Sequence, residues 1–284
     1  MKKIYKMKKI YSLKKIYSLM CIAASMILIS HCSLQAQENP GETDAAELAR
    51  QTSNPIAAMI SLPLQFNFNF GLGEYNRFQS VTNFMPVLPF RVSDKVNAIN
   101  RVIIPILLQP DVEKETGSTW GVGNINYSVF FTPSKTGKFI WGVGPAMSIP
   151  TRSSENLGGP YLGIGPTVIA LVMAGNWTVG LTANNVWSYE GGELNSLFAQ
   201  VFIVYTFPSA WFVQTMPTIT ANWNAPEGQQ WSIPLGANVG KLVMLGKLPV
   251  KFIGGGGYFA VRPDNGAKWQ LFFQTVFLFP KKKK

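Results

Sequence analysis

The stretch LQFNFNFGLG, residues 64–73, alternates amide and aromatic side chains without a break. The alternating residues are Gln65, Phe66, Asn67, Phe68, Asn69 and Phe70. Successive side chains of a β-strand point to opposite faces, so one face is expected to carry only carboxamides and the other only phenyl rings. The polar face of a soluble β-sheet usually includes charged groups, and this one has none. The pattern therefore indicates a strand with an apolar solvent on one side and a confined polar space on the other.

The charge of the chain is concentrated at its two ends. The protein has 284 residues, of which 47% are hydrophobic and 14% charged, and a formal net charge of +11. The first 36 residues contain seven lysines and no acid, and residues 281–284 are all lysine. The remaining body carries equal numbers of basic and acidic residues. A nucleic-acid-binding protein would show basic clusters on its folded body, so we do not expect a nucleic-acid partner.

The N-terminus has the layout of a secretory signal. A lysine-rich region precedes the apolar run 19–29, which is too short for a membrane-spanning helix of about 20 residues. We predict a signal peptide over 1–36, cleaved after Ala36. Both cysteines and the single histidine lie within that range.

Removal of the signal peptide excludes most site chemistry. A chain without Cys or His has no Ser–His or Cys–His nucleophile pair and no thiolate or imidazole metal ligand. We therefore expect no catalytic residue, no cofactor and no metal site, and we predict that the protein is not an enzyme. Chemistry based on carboxylates alone stays open, as does a cation site at Asp111, Glu113 and Glu115. A solvated loop face is the favoured interpretation of those three acids.

The body divides into strand-length segments separated by turn signals. The twelve predicted strands cover 59–71, 77–91, 96–109, 119–132, 138–150, 160–173, 177–189, 195–207, 211–223, 230–244, 248–262 and 267–279. Every second connection is a short turn, such as VSDK or LGK, whereas most of the others are longer. Outer-membrane barrels show the same asymmetry, with short periplasmic turns and longer outside loops.

Tryptophan placement gives an independent indication of a membrane barrel. All eight tryptophans lie close to a predicted strand end, some at the short turns and some at the longer loops. Amphipathic aromatic rings settle at both membrane–water boundaries, where they form two girdles. Random placement in a soluble core would put several of them in mid-strand.

The fold prediction is an all-β, transmembrane, up-and-down antiparallel barrel of about twelve strands, with short periplasmic turns and longer extracellular loops. The phenyl rings of 66–70 then face lipid and the amides face a wet lumen. The predicted lumen-lining residues are Gln65, Asn67, Asn69, Asn83, Arg101, Asn124, Asn126, Gln214, Asn222, Lys251 and Gln274. Residues 37–55 are predicted to form a short periplasmic or lumenal segment with a helix over 44–51. The barrel is expected over 56–280 and a basic tail over 281–284.

Several segments together resemble bacterial outer-membrane barrels of the MetA-pathway-of-phenol-degradation type. They are NPIAAMISLPLQFNFNFG (54–71), LLQPD (107–111), FFTPSKTGKFIWGVGPAMSIPT (130–151), NNVWSYEG (184–191), TANWNA (220–225), WSIPLGANVGK (231–241), VRPD (261–264) and WQLFFQTVFLFPK (269–281). The resemblance implies an outer-membrane barrel with a transport role, and it supplies no catalytic residue. Asn124 stands where an acid is expected, and Gly254–Gly257 replaces a more ordinary strand. Substrate preference is therefore not carried over.

The leading functional hypothesis is a channel or transporter in the outer membrane of a Gram-negative bacterium. It would pass small uncharged or aromatic and apolar solutes by passive diffusion. The alternatives are a structural barrel with a closed lumen, an outer-membrane enzyme and a soluble lipid-carrying barrel. The expected partners are outer-membrane lipid, lipopolysaccharide, the small-molecule solute and the barrel-insertion machinery, which would recognise the aromatic alternation of the last strand.

Overall fold

The computed structural model of the protein describes residues 40–57, 59–189 and 192–279, with side chains from Ala45 onward. The predicted signal peptide and the basic tail lie outside the described residues. The described residues include one α-helix, α1 (Pro40–Gln51), and a short 3-10 helix, Glu155–Leu157. The strands are β1 (Ile60–Leu72), β2 (Arg77–Phe84), β3 (Val87–Arg91), β4 (Val96–Pro110), β5 (Ser118–Val122), β6 (Ile125–Pro133), β7 (Phe139–Ile149), β8 (Gly163–Ala174), β9 (Trp177–Ser188), β10 (Asn195–Thr206), β11 (Trp211–Thr215), β12 (Thr218–Asn222), β13 (Trp231–Leu245), β14 (Leu248–Val261) and β15 (Trp269–Phe279).

The strands form one closed, antiparallel sheet. Apart from β2–β3, β5–β6 and β11–β12, consecutive strands pair with each other, and β1 pairs with β15 from Ile60↔Phe279 to Phe70↔Trp269. Three pairs of strands are the halves of single interrupted strands: β2 with β3, β5 with β6, and β11 with β12. Counting each pair as one, the barrel has twelve strands around its circumference, which we call staves. The predicted fold class is confirmed. Closure gives the first and last strands partners for their backbone groups, which would otherwise form two open sheet edges.

Three staves are interrupted at 85–86, 123–124 and 216–217. Pro86 and Pro217 lie in two of these interruptions. Proline has no N–H to donate to the neighbouring strand, so the ladder breaks locally there.

The outer face of the barrel is apolar. Its exposed side chains include Phe139, Trp141, Val143, Ile164, Val168, Val172, Val179, Leu181, Val201, Ile203, Val213, Leu235, Val239, Phe252, Leu271 and Phe273. The tryptophans lie at or near strand ends, as the sequence pattern predicts. Near the short-turn end, the Lys241 ammonium lies 5.2 Å from the centre of the Trp211 ring. Among the described residues, no helix has the length and apolar character needed to cross a lipid bilayer.

The two ends of the barrel differ in their connections. At one end, two-residue turns join β8 to β9 and β13 to β14, and each begins with a glycine at positive φ, Gly175 at 57° and Gly246 at 62°. Glycine adopts this left-handed conformation without steric strain, which suits a tight hairpin. At the other end, longer loops such as 150–162 and 223–230 join the strands.

Helix α1 packs against the barrel at the short-turn end. Ala49 is fully buried and clusters with Ala210 of a short turn and with Leu242 and Val276 of the wall. Leu242 and Val276 pair with Lys251 on the lumen-facing side of the sheet, so the helix lies in the mouth of the barrel rather than outside it. The helix begins at Pro40, earlier than predicted. Proline has no N–H, and it is tolerated in the first turn because no helical hydrogen bond would use an N–H there.

Candidate functional site

An interior cavity of about 310 Å³ lies among the lumen-facing side chains. Its wall includes Ser61, Gln65, Asn83, Arg101, Asn126, Ser128, Asn184, Phe198, Gln200, Val204, Gln214, Met216, Thr218, Lys251, Ile253 and Gln274, and residues 52–55 that follow α1 also contribute. The volume lies at the lower end of the range of about 300–1,000 Å³ that is common for small-molecule sites.

The structure brings seven of the predicted lumen residues together in this cavity. They are Gln65, Asn83, Arg101, Asn126, Gln214, Lys251 and Gln274. Asn67 and Asn69 lie on the same face of β1, further towards the long-loop end, and their amides bond to the neighbouring wall. The alternation of β1 therefore has the amides inside and the phenyl rings outside.

Two other predicted residues lie at the loop end and do not line the cavity. Asn124 falls in the interruption between β5 and β6, where its amide donates to the carbonyl of Gly159 at 2.8 Å and its oxygen accepts from the backbone of Arg152. Asn222 ends β12, and its side-chain oxygen accepts a hydrogen bond from the backbone of Asn224 at 3.1 Å. Strand interruption and strand ending remove both amides from the alternation.

The amides on the wall form short hydrogen-bonded chains across neighbouring strands. Gln274 donates to Gln65 at 3.4 Å, and Gln65 donates to Asn67 at 3.1 Å. Closer to the long-loop end, Asn69 donates to Gln79 at 2.7 Å and Gln79 to Gln109 at 2.5 Å. These contacts satisfy part of the hydrogen-bonding capacity of the wall amides, and the side-chain oxygen of Asn69 has no partner within the described residues.

Two basic side chains in the cavity wall have no acidic partner in the described part of the chain. The ion pairs there are Arg50–Glu47, Arg91–Asp94 and Lys114–Asp111, all outside the cavity. Arg91 ends β3 and pairs with Asp94 in the short turn that follows. Arg101 and Lys251 each contact an aromatic ring, with the charged group 5.3 Å from the centre of Phe198 and 4.8 Å from that of Phe212.

The contact between Arg101 and Phe198 crosses the barrel. Arg101 belongs to β4 and Phe198 to β10, and on the shorter way round the ring the staves of β6, β7, β8 and β9 separate them. The side chain therefore extends through the lumen to the opposite wall. It lies in the path of a solute that crosses the cavity.

Glycines make room for two buried phenyl rings in the wall. Phe202 pairs directly with Gly180, and Phe212 pairs directly with Gly240. A Cβ atom at Gly240 would lie 2.4 Å from the Phe212 ring, so only glycine fits beneath it. The Phe212 ring lies against this glycine, and the Lys251 ammonium is 4.8 Å from its centre.

The short-turn end of the lumen is closed by apolar side chains. One cluster contains Ile56 together with inward-facing Ile99, Phe130, Ile169 and Phe202. Helix α1 closes the remainder of the same end through the cluster around Ala49.

At the exposed surface of α1, hydrogen bonds from Arg50 lower the pKa of Glu47 below its ordinary value.

Sequence reasoning missed other polar residues of the cavity. Asn184, Gln200 and Thr218 line it, and Gln200 donates to the hydroxyl of Thr218 at 3.2 Å. Asn184 lies in β9, Gln200 in β10 and Thr218 in β12. In β10, Phe198 and Phe202 share the inward face with Gln200 and hide the period of two. The register with β12 distinguishes the two faces.

The acidic loop 111–115 has no organised cation site. Asp111 accepts a hydrogen bond from Lys114 at 3.0 Å, which lowers the pKa of that carboxyl group. In the described ranges, no group of three or more His, Cys, Asp or Glu side chains is placed to hold a metal ion.

Comparisons with known proteins find similarity at the level of structure. No family model matches the chain, and no curated protein matches its sequence. The crystal structure of the COG4313 outer membrane channel from Pseudomonas putida F1 is similar with a TM-score of 0.57 and 14% identity, over 78% of this chain and 96% of that one. CdiB from Acinetobacter baumannii has a TM-score of 0.37 and 11% identity, over 78% of this chain and 60% of that one. At these identities the first likeness concerns the fold, and this chain shares the barrel architecture of an outer-membrane channel.

Proposed function

We propose that the protein is an outer-membrane channel that passes small solutes with aromatic or apolar bodies by passive diffusion. One observation carries the proposal: a closed barrel with an apolar exterior contains a cavity whose wall combines amides, hydroxyls, two basic groups and aromatic rings. A barrel whose only role is structural does not need such a cavity. Membership of the MetA-type family remains part of the proposal.

The cavity chemistry supports the solute class. Phe198, Met216 and Ile253 offer apolar contact, while Gln65 and Gln200 offer hydrogen bonds. A site with apolar walls and a few polar groups is typical of small-molecule recognition. The amides of the wall are the basis for the expectation of uncharged solutes.

The closed short-turn end favours a second candidate, a structural barrel without transport. Helix α1 and the apolar cluster around Phe130 fill the lumen there. In the channel hypothesis, the segment that includes α1 must move aside for a solute to pass. In the structural hypothesis, it stays in place.

Single-channel recording in planar bilayers separates the two candidates. The refolded mature protein is compared with a variant that lacks residues 37–57. A channel shows discrete current steps that become larger or more frequent after the deletion. Absence of current from both proteins, with folding verified by heat-modifiable migration on a gel, supports the structural barrel and contradicts the channel.

A further inference from the structure

The cavity wall contains charge of one sign. Among the described residues, its lining includes Arg101 and Lys251 and no Asp or Glu. Every Asp and Glu of the described residues lies in a helix, a turn or a loop, and none lies in a strand. The sheet around Arg101 and Lys251 therefore has a low dielectric constant and supplies no negative charge to neutralise them.

Lys251 is a deeply buried, unpaired cation. Its side chain is 5% exposed, and no hydrogen-bond acceptor or carboxylate contacts it within the described chain. Contact with the Phe212 ring at 4.8 Å attracts the ammonium but accepts no hydrogen bond and carries no opposite charge. A buried charge without a partner is unfavourable unless another group compensates it.

Gln214 adds a third donor to the same wall. It is 7% exposed, and its side-chain nitrogen has no hydrogen-bond partner. Of the buried polar side-chain atoms without a partner in the described residues, it is the one whose residue lines the cavity. The guanidinium of Arg101, the ammonium of Lys251 and this amide are all donors that lack acceptors.

We propose that Arg101, Lys251 and Gln214 form an anion-binding site in the lumen, and that its solute is a small carboxylate with an aromatic or apolar body. The carboxylate supplies both the missing negative charge and the missing acceptors, and charge-assisted hydrogen bonds are the stronger ones. Phe198, Met216 and Ile253 contact the body of the solute. This inference rests on the proposed channel function and names its substrate class.

Ion preference is the first test. Reversal potentials are measured across bilayers with a KCl gradient, and the variant that lacks residues 37–57 serves as the open form. We expect a preference for chloride over potassium, because cations inside low-dielectric walls concentrate anions. The double variant Arg101→Gln, Lys251→Gln should lose this preference. Lys241→Gln, which removes a charge from the outer face, should keep it. Current with cation preference, or with none, in the unmutated protein would overturn the inference.

Block by defined probes is the second test. Sodium benzoate should reduce the potassium chloride current at a concentration about tenfold lower than its neutral analogue benzamide, a ratio that corresponds to about 1.4 kcal/mol. Inorganic phosphate, an anion without an apolar body, should block more weakly than benzoate. The double variant should respond equally to benzoate and benzamide. Equal block of the unmutated protein by both probes contradicts the site.

Two further measurements keep the inference separate from the channel proposal. If no current appears, the channel fails, and benzoate binding to the protein in detergent, followed by tryptophan fluorescence, tests the site alone. Binding about tenfold tighter than that of benzamide, equivalent to about 1.4 kcal/mol, retains the site, and equal binding removes it. If the glutamine variant does not fold, Arg101→Lys with Lys251→Arg keeps both charges, and it must preserve the preference for benzoate.

Discussion

Substitution of Phe66 by arginine tests the orientation of the barrel wall directly. Phe66 lies six residues from each end of β1, so its ring faces the middle of the apolar layer. The neighbouring residue Asn67 points to the opposite face and donates to the carbonyl of Val81 at 3.3 Å. Asn67→Arg is therefore a matched control that introduces the same side chain one residue away.

The two substitutions differ in their expected effect on the free energy of unfolding. Arginine at the lipid-facing midplane costs about 2–4 kcal/mol. Loss of the stacked contact between Phe66 and Phe68, whose ring centres are 6.5 Å apart, adds about 0.5–1.5 kcal/mol. Together these give about 2.5–5.5 kcal/mol for Phe66→Arg. Asn67→Arg loses two amide hydrogen bonds but keeps its charge in a polar lumen, and is expected to cost about 1–2 kcal/mol.

The assay is reversible unfolding in denaturant from lipid vesicles, followed by tryptophan fluorescence. The difference between the two variants is more informative than either value alone, because the introduced side chain is identical. If Asn67→Arg destabilises the protein as much as Phe66→Arg, or more, the assignment of the phenyl face to lipid and the amide face to the lumen is wrong.

Three other outcomes are expected. Deletion of 37–57 should raise the mean single-channel conductance severalfold, because α1 occupies the short-turn mouth; an unchanged conductance would show that the segment does not obstruct the path. Gly240→Val should destabilise the barrel by about 1–3 kcal/mol, measured in denaturant, because a side chain there meets the Phe212 ring. The control Gly254→Ala, whose nearest contacts are at 3.6 Å, should change stability by less than about 1 kcal/mol, and equal losses would contradict this account of the wall. Lys251→Met should raise the free energy of unfolding by about 1 kcal/mol in the absence of a ligand, since it removes an unpaired buried charge, and a loss of stability would indicate an unrecognised partner.

The architecture follows from the sequence because its signals are local. Alternation in β1, turn residues at regular intervals and aromatic residues at strand ends each depend on neighbours in the chain. The twelve predicted segments therefore correspond to the twelve staves. The same local logic fails at Asn124, where an interruption in the strand changes which way the side chain points.

The interior depends on distances across the ring, which alternation does not encode. The contact of Arg101 with Phe198 is set by the barrel diameter and the stagger of the strands. The helical pattern of 44–51 indicates an amphipathic segment but not the surface that covers it, and the apolar mouth of the barrel provides that surface. The pairing of Phe212 with Gly240 likewise requires the register of β11 with β13.

The cross-lumen position of Arg101 has a consequence for the timing of transport. A long, unbranched side chain can change rotamer in picoseconds to nanoseconds, whereas hinge movements of backbone segments take microseconds or longer. Passage beyond this residue therefore needs no rearrangement of the wall. Slow closures in a current trace would originate instead from the docked N-terminal segment, so the two obstacles would leave separate kinetic signatures in one recording.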